Sequence, residues 1–197
     1  MDEALKTRLP LSIDGLLIRR LVPDDYGDLH AYWSDPECAR YQFWGPYTTE
    51  QVTAMIAGQA EVAPGDPGVS LVLAAELDGT VIGDCQFTVT SVEDRQAEVG
   101  FAFNPRYTGR GLATRAVAAV LGFGFLQLGL HRIVVSTDAR NERSWRLAER
   151  VGMRREAHFR HDNFVRGEWV DSFVYAMLDV EWRGRHPELV AAVSVEA

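Results

Sequence analysis

Arg106-Tyr107-Thr108-Gly109-Arg110-Gly111-Leu112-Ala113-Thr114 is the stretch that decides the fold. Upstream of it, Ala97-Glu98-Val99-Gly100-Phe101-Ala102-Phe103 alternates with period two, as a strand does. Asn104-Pro105 stops that strand. Downstream, Ala113, Val117, Val120, Leu121, Gly124 and Leu128 recur at helical spacing. The reading is a strand, a glycine-rich turn and a long helix. Gly109 and Gly111 remove side chains where backbone N–H groups must face outward, and the helix start adds the positive end of its dipole. Such a turn holds a phosphate or pyrophosphate. A Walker loop is excluded, because Gly111 is followed by Leu112 and not by Lys. A dinucleotide fingerprint is excluded too, because its third glycine is replaced by Thr114.

The rest of the chain falls into order around this unit. Leu16–Leu21 reads as a first strand, and Pro23-Asp24-Asp25 opens a helix to about Trp33. Ser34–Glu37 is a turn. Cys38–Tyr47 gathers Tyr41, Phe43, Trp44 and Tyr47 around Gly45-Pro46, either lining a pocket or forming a satellite apolar cluster. Thr48 and Gln51 make a capping box for a second helix to about Ala60. Two strands, Ser70–Leu77 and Val81–Thr90, flank the hairpin signal Asp78-Gly79. After the long helix come a strand at His131–Ser136 and a helix capped by Asn141 and closed by Gly152. A final hairpin follows, Met153–Phe159 and Trp169–Leu178, joined by a polar loop at His161–Gly167. Residues from Glu181 on read as a short, partly helical tail.

The 197 residues, 47% of them hydrophobic, are enough for one sizeable domain and short for two, so the expectation is a single domain over 1–197 with 183–197 as its tail. The net charge of −8 is uneven: residues 1–105 carry −11 and residues 106–197 carry +3. The half with the anion-binding turn is the basic one. The acidic half suits a cationic substrate, or simply solubility. Cys38 and Cys85 match no metal spacing and make no disulfide framework, so both read as free thiols. Met1–Leu11 carries acids and no apolar core, and apolar runs elsewhere are too short for a membrane span. The expectation is a cytoplasmic protein with no membrane partner.

Arg-x-x-Gly-x-Gly followed by Leu-Ala-Thr resembles the acyl-CoA pyrophosphate loop of the GNAT superfamily of N-acetyltransferases. Asn141-Glu142-Arg143-Ser144 through Val151-Gly152-Met153 is similar to that family's Asn-x-x-Ser/Ala helix. Gly167–Asp171 through Met177 resembles the closing strand of the branch containing the ribosomal-protein N-terminal acetyltransferases RimJ and RimL. The resemblance runs to about Trp182. It implies an α/β fold, a mixed and mostly antiparallel sheet splayed at the cofactor strand and flanked by helices. It also implies acetyl-CoA as co-substrate, no metal, and an amine acceptor: a protein N-terminus, a polyamine or an amino sugar. On the matching positions, Phe101 and Phe103 would pair with the pantetheine arm. Arg106, Thr108, Gly109, Arg110, Gly111 and Ala113 would cradle the pyrophosphate with the Thr114 hydroxyl in reach. Asn141 would meet the pantetheine, serve as an N-cap, or do both.

Acetyl transfer to an amine needs a base, and the leaving thiolate benefits from an acid. Glu98 is the first candidate base. It shares a strand face with Gly100 and Ala102, where space is open, opposite Ala97, Val99, Phe101 and Phe103. Its alternative is a solvent-facing or ion-paired glutamate. Asp84, Asp35 and Glu37 are weaker candidates, and Asp171 reads as structural. Many family members use a tyrosine as acid, and Ala148 stands at that position here. Ser144 lies on the same helix face as Leu147, Ala148 and Val151; the resemblance to the RimJ/RimL branch, where a serine here is read as the thiolate's proton donor, makes it the candidate acid, against a plain hydroxyl bonded back into its helix.

Two other classes stay in view. A non-catalytic acyl-CoA sensor would keep the glycine turn without a working Glu98/Ser144 pair. Nucleic-acid binding through Arg140, Arg143, Arg146, Arg150, Arg154 and Arg155 is disfavoured by net acidity and by the lack of a groove-reading motif. Exposed aromatics in the final hairpin permit a homodimer without requiring one.

Overall fold

Residues 9–187 are described by the structure, a computed structural model. Its centre is one eight-stranded sheet in the order β1-β2-β3-β4-β5-β6-β8-β7. Leu11–Ile13 (β1) and Leu16–Arg20 (β2) form a tight antiparallel hairpin at the edge. β1 has no counterpart in the sequence reading, so five strands and not four precede the glycine turn. Three residues are too few for a period to register.

Ser70–Leu77 (β3) and Thr80–Ser91 (β4) follow, turning at Asp78-Gly79, both at positive φ as the hairpin signal requires. Gln96–Phe103 (β5) completes the antiparallel run. Arg132–Asp138 (β6) pairs parallel with β5, then antiparallel with Glu168–Leu178 (β8), and Arg154–Val165 (β7) closes the far edge. Among the strand pairs of the described residues, the parallel join of β5 and β6 is the one bridged by the crossover through the glycine turn.

The sheet is covered on both faces, so its central strands read as near-continuous apolar runs. In β3, Leu71, Leu73 and Ala75 enter one core and Val72 and Ala74 the other. The larger core lies beneath Leu112–Gly122 (α4), whose Ala116, Val117, Val120 and Leu121 are fully buried. The smaller lies beneath Tyr26–Trp33 (α1) and Thr49–Gly58 (α3), with Leu29, Trp33 and Val52 against β3 and β4. Thr48 and Gln51 form the expected reciprocal cap on α3.

Four readings are corrected. The turn at Ser34–Glu37 contains the start of a one-turn helix, Pro36–Ala39 (α2), capped by Asp35. The long helix does not run unchanged to Leu128: it widens at Phe123 into a π-turn, Phe123–Gln127, that buries Phe123 and Phe125. The polar loop at His161–Gly167 is strand as far as Val165, and only Arg166-Gly167 turn. Exposed polar side chains hid this ribbon, which is held by Asn163 Nδ2 donating to Ser172 Oγ (2.9 Å) and by the His161 N–H donating to Asp171 (2.9 Å). The partly helical stretch read from Glu181 on starts earlier, as a packed helix, Asp179–Arg185 (α6), that buries Trp182 against Phe125. Residues 188–197 of the expected tail lie outside the described part.

Candidate active site

β5 and β6 are joined by only three residue pairs: Gln96 with Arg132, Ala97 with Ile133 and Glu98 with Val134. Beyond Glu98 the strands part, β5 running on to Phe103 and β6 to Asp138. The β5 edge is left without a strand partner there, and such an edge is a template for an extended ligand. The Phe101 carbonyl on this edge accepts a hydrogen bond from Gln42 Nε2 at 3.3 Å.

A cavity of about 200 Å³ opens where the strands part. Glu98, Gly100 and Phe101 contribute from β5, and Ser136 from β6. Asn141 and Ser144 contribute from the start of Glu142–Arg150 (α5). Tyr41, Phe43 and Trp44 roof it from the aromatic loop, whose Trp44 and Tyr47 also pack on the smaller core. That loop is therefore both pocket wall and apolar cluster.

Glu98 points into the cavity while its neighbours Ala97 and Val99 are fully buried on the other face. Burial pushes its carboxyl pKa up, and a hydrogen bond from the Ser136 backbone opposes the shift. Asn141 caps α5, its Oδ1 accepting from the Ser144 N–H at 3.2 Å. The cap engages Oδ1 alone, and Nδ2 takes no part in it.

The glycine turn lies at the other end of the β5 edge, outside the cavity, and so does Phe103. Asn104 Oδ1 ends the strand by accepting from the Arg106 N–H (3.1 Å), and Thr108 Oγ1 donates to the Pro105 carbonyl (2.9 Å). Gly109 and Gly111 sit at φ +79° and +72°. A residue with a Cβ would pay roughly 1–2 kcal/mol there. A Cβ built on either would meet no heavy atom within 4 Å, so the space above the turn is open. Leu112 is buried at the helix start, while Arg106 and Arg110 are exposed and Ala113 and Thr114 half-buried. Arg150, from the last turn of α5, donates from Nε to Thr114 Oγ1 at 3.4 Å, a partner the sequence did not reveal. Left-handed glycines, a helix N-terminus and flanking arginines fit a pyrophosphate. From the turn to Glu98 is five residues of strand, roughly 17 Å, so one linear arm along the β5 edge connects the two sites.

Three other features have partners that the sequence did not reveal. Asp84 on β4 is fully buried, its Oδ1 accepting from Tyr32 Oη and Trp33 Nε1, each at 2.8 Å. Arg166 grips the aromatic loop. The arginine-rich group is largely occupied: Arg140 pairs with Asp138 and Glu168, Arg146 with Glu142, and Arg154 with Glu156 and Glu181. Among the described residues, no group of three or more His, Cys, Asp or Glu side chains is placed to hold a metal ion, and no helix is long and apolar enough to cross a membrane.

A family model for the acetyltransferase (GNAT) domain matches residues 15–154. The Uncharacterized N-acetyltransferase YnaD of Bacillus subtilis is 31% identical over 167 residues, covering 85% of this chain and 95% of YnaD. The Spermidine N(1)-acetyltransferase of Escherichia coli K12 is 23% identical over 180 residues, covering 89% and 92%. A crystal structure of a GNAT-family acetyltransferase from Bacillus anthracis matches with a TM-score of 0.79 at 30% identity, over 88% of this chain and all of that one. With its splayed mixed sheet and glycine turn, this chain belongs to the GNAT acetyltransferase family.

Proposed function

We propose that the protein moves the acetyl group of acetyl-CoA to a primary amine held in the cavity beneath Tyr41–Trp44, in the manner of the RimJ/RimL-like branch and in the cytoplasm. The observation that carries this is the position of Glu98, a half-buried carboxylate facing the cavity where β5 and β6 part. The glycine turn, with Arg106 and Arg110, holds the pyrophosphate. The β5 edge at Phe101 and Phe103 and the Asn141 amide guide the arm toward Glu98. When bound, acetyl-CoA supplies the thioester that the amine attacks.

The residues divide the proton traffic. Glu98 takes the proton the amine must lose, and burial, by raising its pKa, makes it a stronger base than an exposed glutamate. Ser144 supplies a proton to the departing sulfur and regains one from water. The acceptor is an N-terminal peptide, a polyamine or an amino sugar; the spermidine activity of the Escherichia coli relative keeps polyamines in the panel. The test is isothermal titration with acetyl-CoA, then a thiol-release assay with N-terminal peptides, spermidine and an aminoglycoside. The expected result is binding, with release on one amine class. Binding without release on every amine would leave an acyl-CoA sensor, and no binding at all would overturn the reading of Arg106–Thr114.

A further inference from the structure

Arg166 stands at the tip of the β7–β8 hairpin, far along the chain from the aromatic loop, yet its guanidinium is spent on that loop. Nη1 donates to the Arg40 carbonyl at 3.0 Å. Nη2 donates to the carbonyls of Gln42 (2.8 Å), Trp44 (3.0 Å) and Ala39. Nη2 carries two hydrogens, so one of them is shared between carbonyls. Ala39 and Arg40 lie at the end of α2, where the last carbonyls attract a cation; the Ala39 carbonyl also accepts from the Gln42 N–H at 3.1 Å. The backbone of Arg166 is at φ +49°, a left-handed turn position where Asn, Asp or Gly is the ordinary choice. This turn carries a residue whose backbone conformation is unfavourable and whose side chain alone can fork across several carbonyls.

Two of the four gripped carbonyls, those of Gln42 and Trp44, belong to the roof of the cavity. Tyr41, Gln42, Phe43 and Trp44 all face it, and Gln42 reaches on to the Phe101 carbonyl of the β5 edge. On the other side of Phe43 and Trp44 a second cavity, about 420 Å³, is closed by Asn163, Phe164 and Arg166 itself. One guanidinium therefore fixes the wall between the two spaces. Besides Arg166, the loop is tied to the body by Gln42 Nε2 on the Phe101 carbonyl (3.3 Å), by the Tyr47 N–H donating to the Trp33 carbonyl (2.9 Å), by Arg140 over the Tyr41 ring (6.0 Å), and by Trp44 and Tyr47 packing on the small core.

We propose that Arg166 is a positioning residue for the amine acceptor: by bonding the carbonyls of residues 39–44 it sets the height and register of Tyr41–Trp44 over Glu98. This rests on the reading of that cavity as the acceptor site. The glycine turn lies away from the grip, so the pyrophosphate anchor of the donor does not depend on it; Gln42 on the Phe101 carbonyl is where the gripped loop meets the β5 edge.

The experiment compares wild type, Arg166→Ala and Arg166→Lys on whichever of the N-terminal peptides, spermidine or aminoglycoside the wild type acetylates. For Arg166→Ala, the acceptor KM rises about tenfold or more while the acetyl-CoA KM stays within about twofold, since small misplacements of a positioning wall cost at least this much. Arg166→Lys recovers little, because an ammonium lacks the planar fork. Millimolar guanidinium restores Arg166→Ala, a response a general loss of stability does not give. Hydrogen exchange of the amides of residues 40–47 accelerates in Arg166→Ala while that of β6 does not. An unchanged acceptor KM, or equal losses for both substrates without guanidinium rescue, overturns the proposal. Wild type that binds acetyl-CoA but acetylates none of these amines overturns the acceptor reading itself, and the exchange data then report separately whether Arg166 holds the loop.

Discussion

Trp33 Nε1 and Tyr32 Oη both donate to one oxygen of Asp84, Oδ1, and its other oxygen, Oδ2, accepts no hydrogen bond although it is fully buried. Burial dominates: it pushes the carboxyl pKa up to about 6, against the opposing pull of Trp33, Tyr32 and the nearby Gln86. The side chain is thus a half-satisfied carboxylate inside the smaller core, directly under α1.

The folded protein holds the Asp84 proton more tightly than the unfolded chain, whose carboxyl has its ordinary value of 3.8. Between those values the folded state binds more protons, so the contribution of Asp84 to stability falls as pH rises from about 4 to about 6 and is flat above. The two-unit gap corresponds to about 3 kcal/mol. Asp84→Asn does not titrate. Urea midpoints of both proteins should show the stability difference moving toward the variant as pH is raised through this window. A difference independent of pH would sink the account.

For Glu98, the active form is the carboxylate, so kcat/KM should rise with pH along an acidic limb set by a raised carboxyl pKa. Glu98→Gln should lower kcat by about 10²-fold or more and abolish that limb. Ser144→Ala should lower kcat and leave the limb in place, because Ser144 does not titrate in that range. Turnover of Glu98→Gln equal to wild type, measured across pH, would remove Glu98 as the base.

Gly109→Ala and Gly111→Ala separate the turn from the chemistry. Each forces a Cβ into a left-handed position at roughly 1–2 kcal/mol. Each also intrudes on the open space above the turn. Calorimetry should report acetyl-CoA binding weakened about tenfold or more, with the Glu98 acidic limb unchanged. Affinity equal to wild type in both variants would mean the pyrophosphate sits elsewhere.

The parts of this molecule that were legible in the sequence are those written in local chemistry. The Asp78-Gly79 hairpin, the Thr48–Gln51 box, the Asn141 cap and the strand–turn–helix around Gly109 each depend on neighbours a few residues apart, and each formed as read. So did the alternation that turns Glu98 away from Ala97 and Val99. The strand at residues 161–165 was hidden because a ribbon exposed on both faces has no apolar period. Asp84 was legible only as a weaker candidate base, because the donors that bury it come from α1, some fifty residues earlier. Arg166 lay within the polar loop read at His161–Gly167 and carried no reading of its own, since a grip on carbonyls more than a hundred residues away leaves no trace in spacing.

The three-pair join between β5 and β6 has a mechanical meaning as well. It divides the sheet into two blades, one built from the acidic first half of the chain and the other from the basic second half. Beyond those three rungs the blades are tied by the α4 crossover and the core beneath it and, across the wedge, by the Arg166 grip on residues 39–44. An arm lying in the wedge supplies rungs that the protein itself omits. On the proposed reading, the co-substrate is a structural member of the sheet before it is a reagent, and at about a hundred times its Kd it adds about 2.7 kcal/mol to the fold. The durability of such a protein would then follow the abundance of the metabolite it consumes.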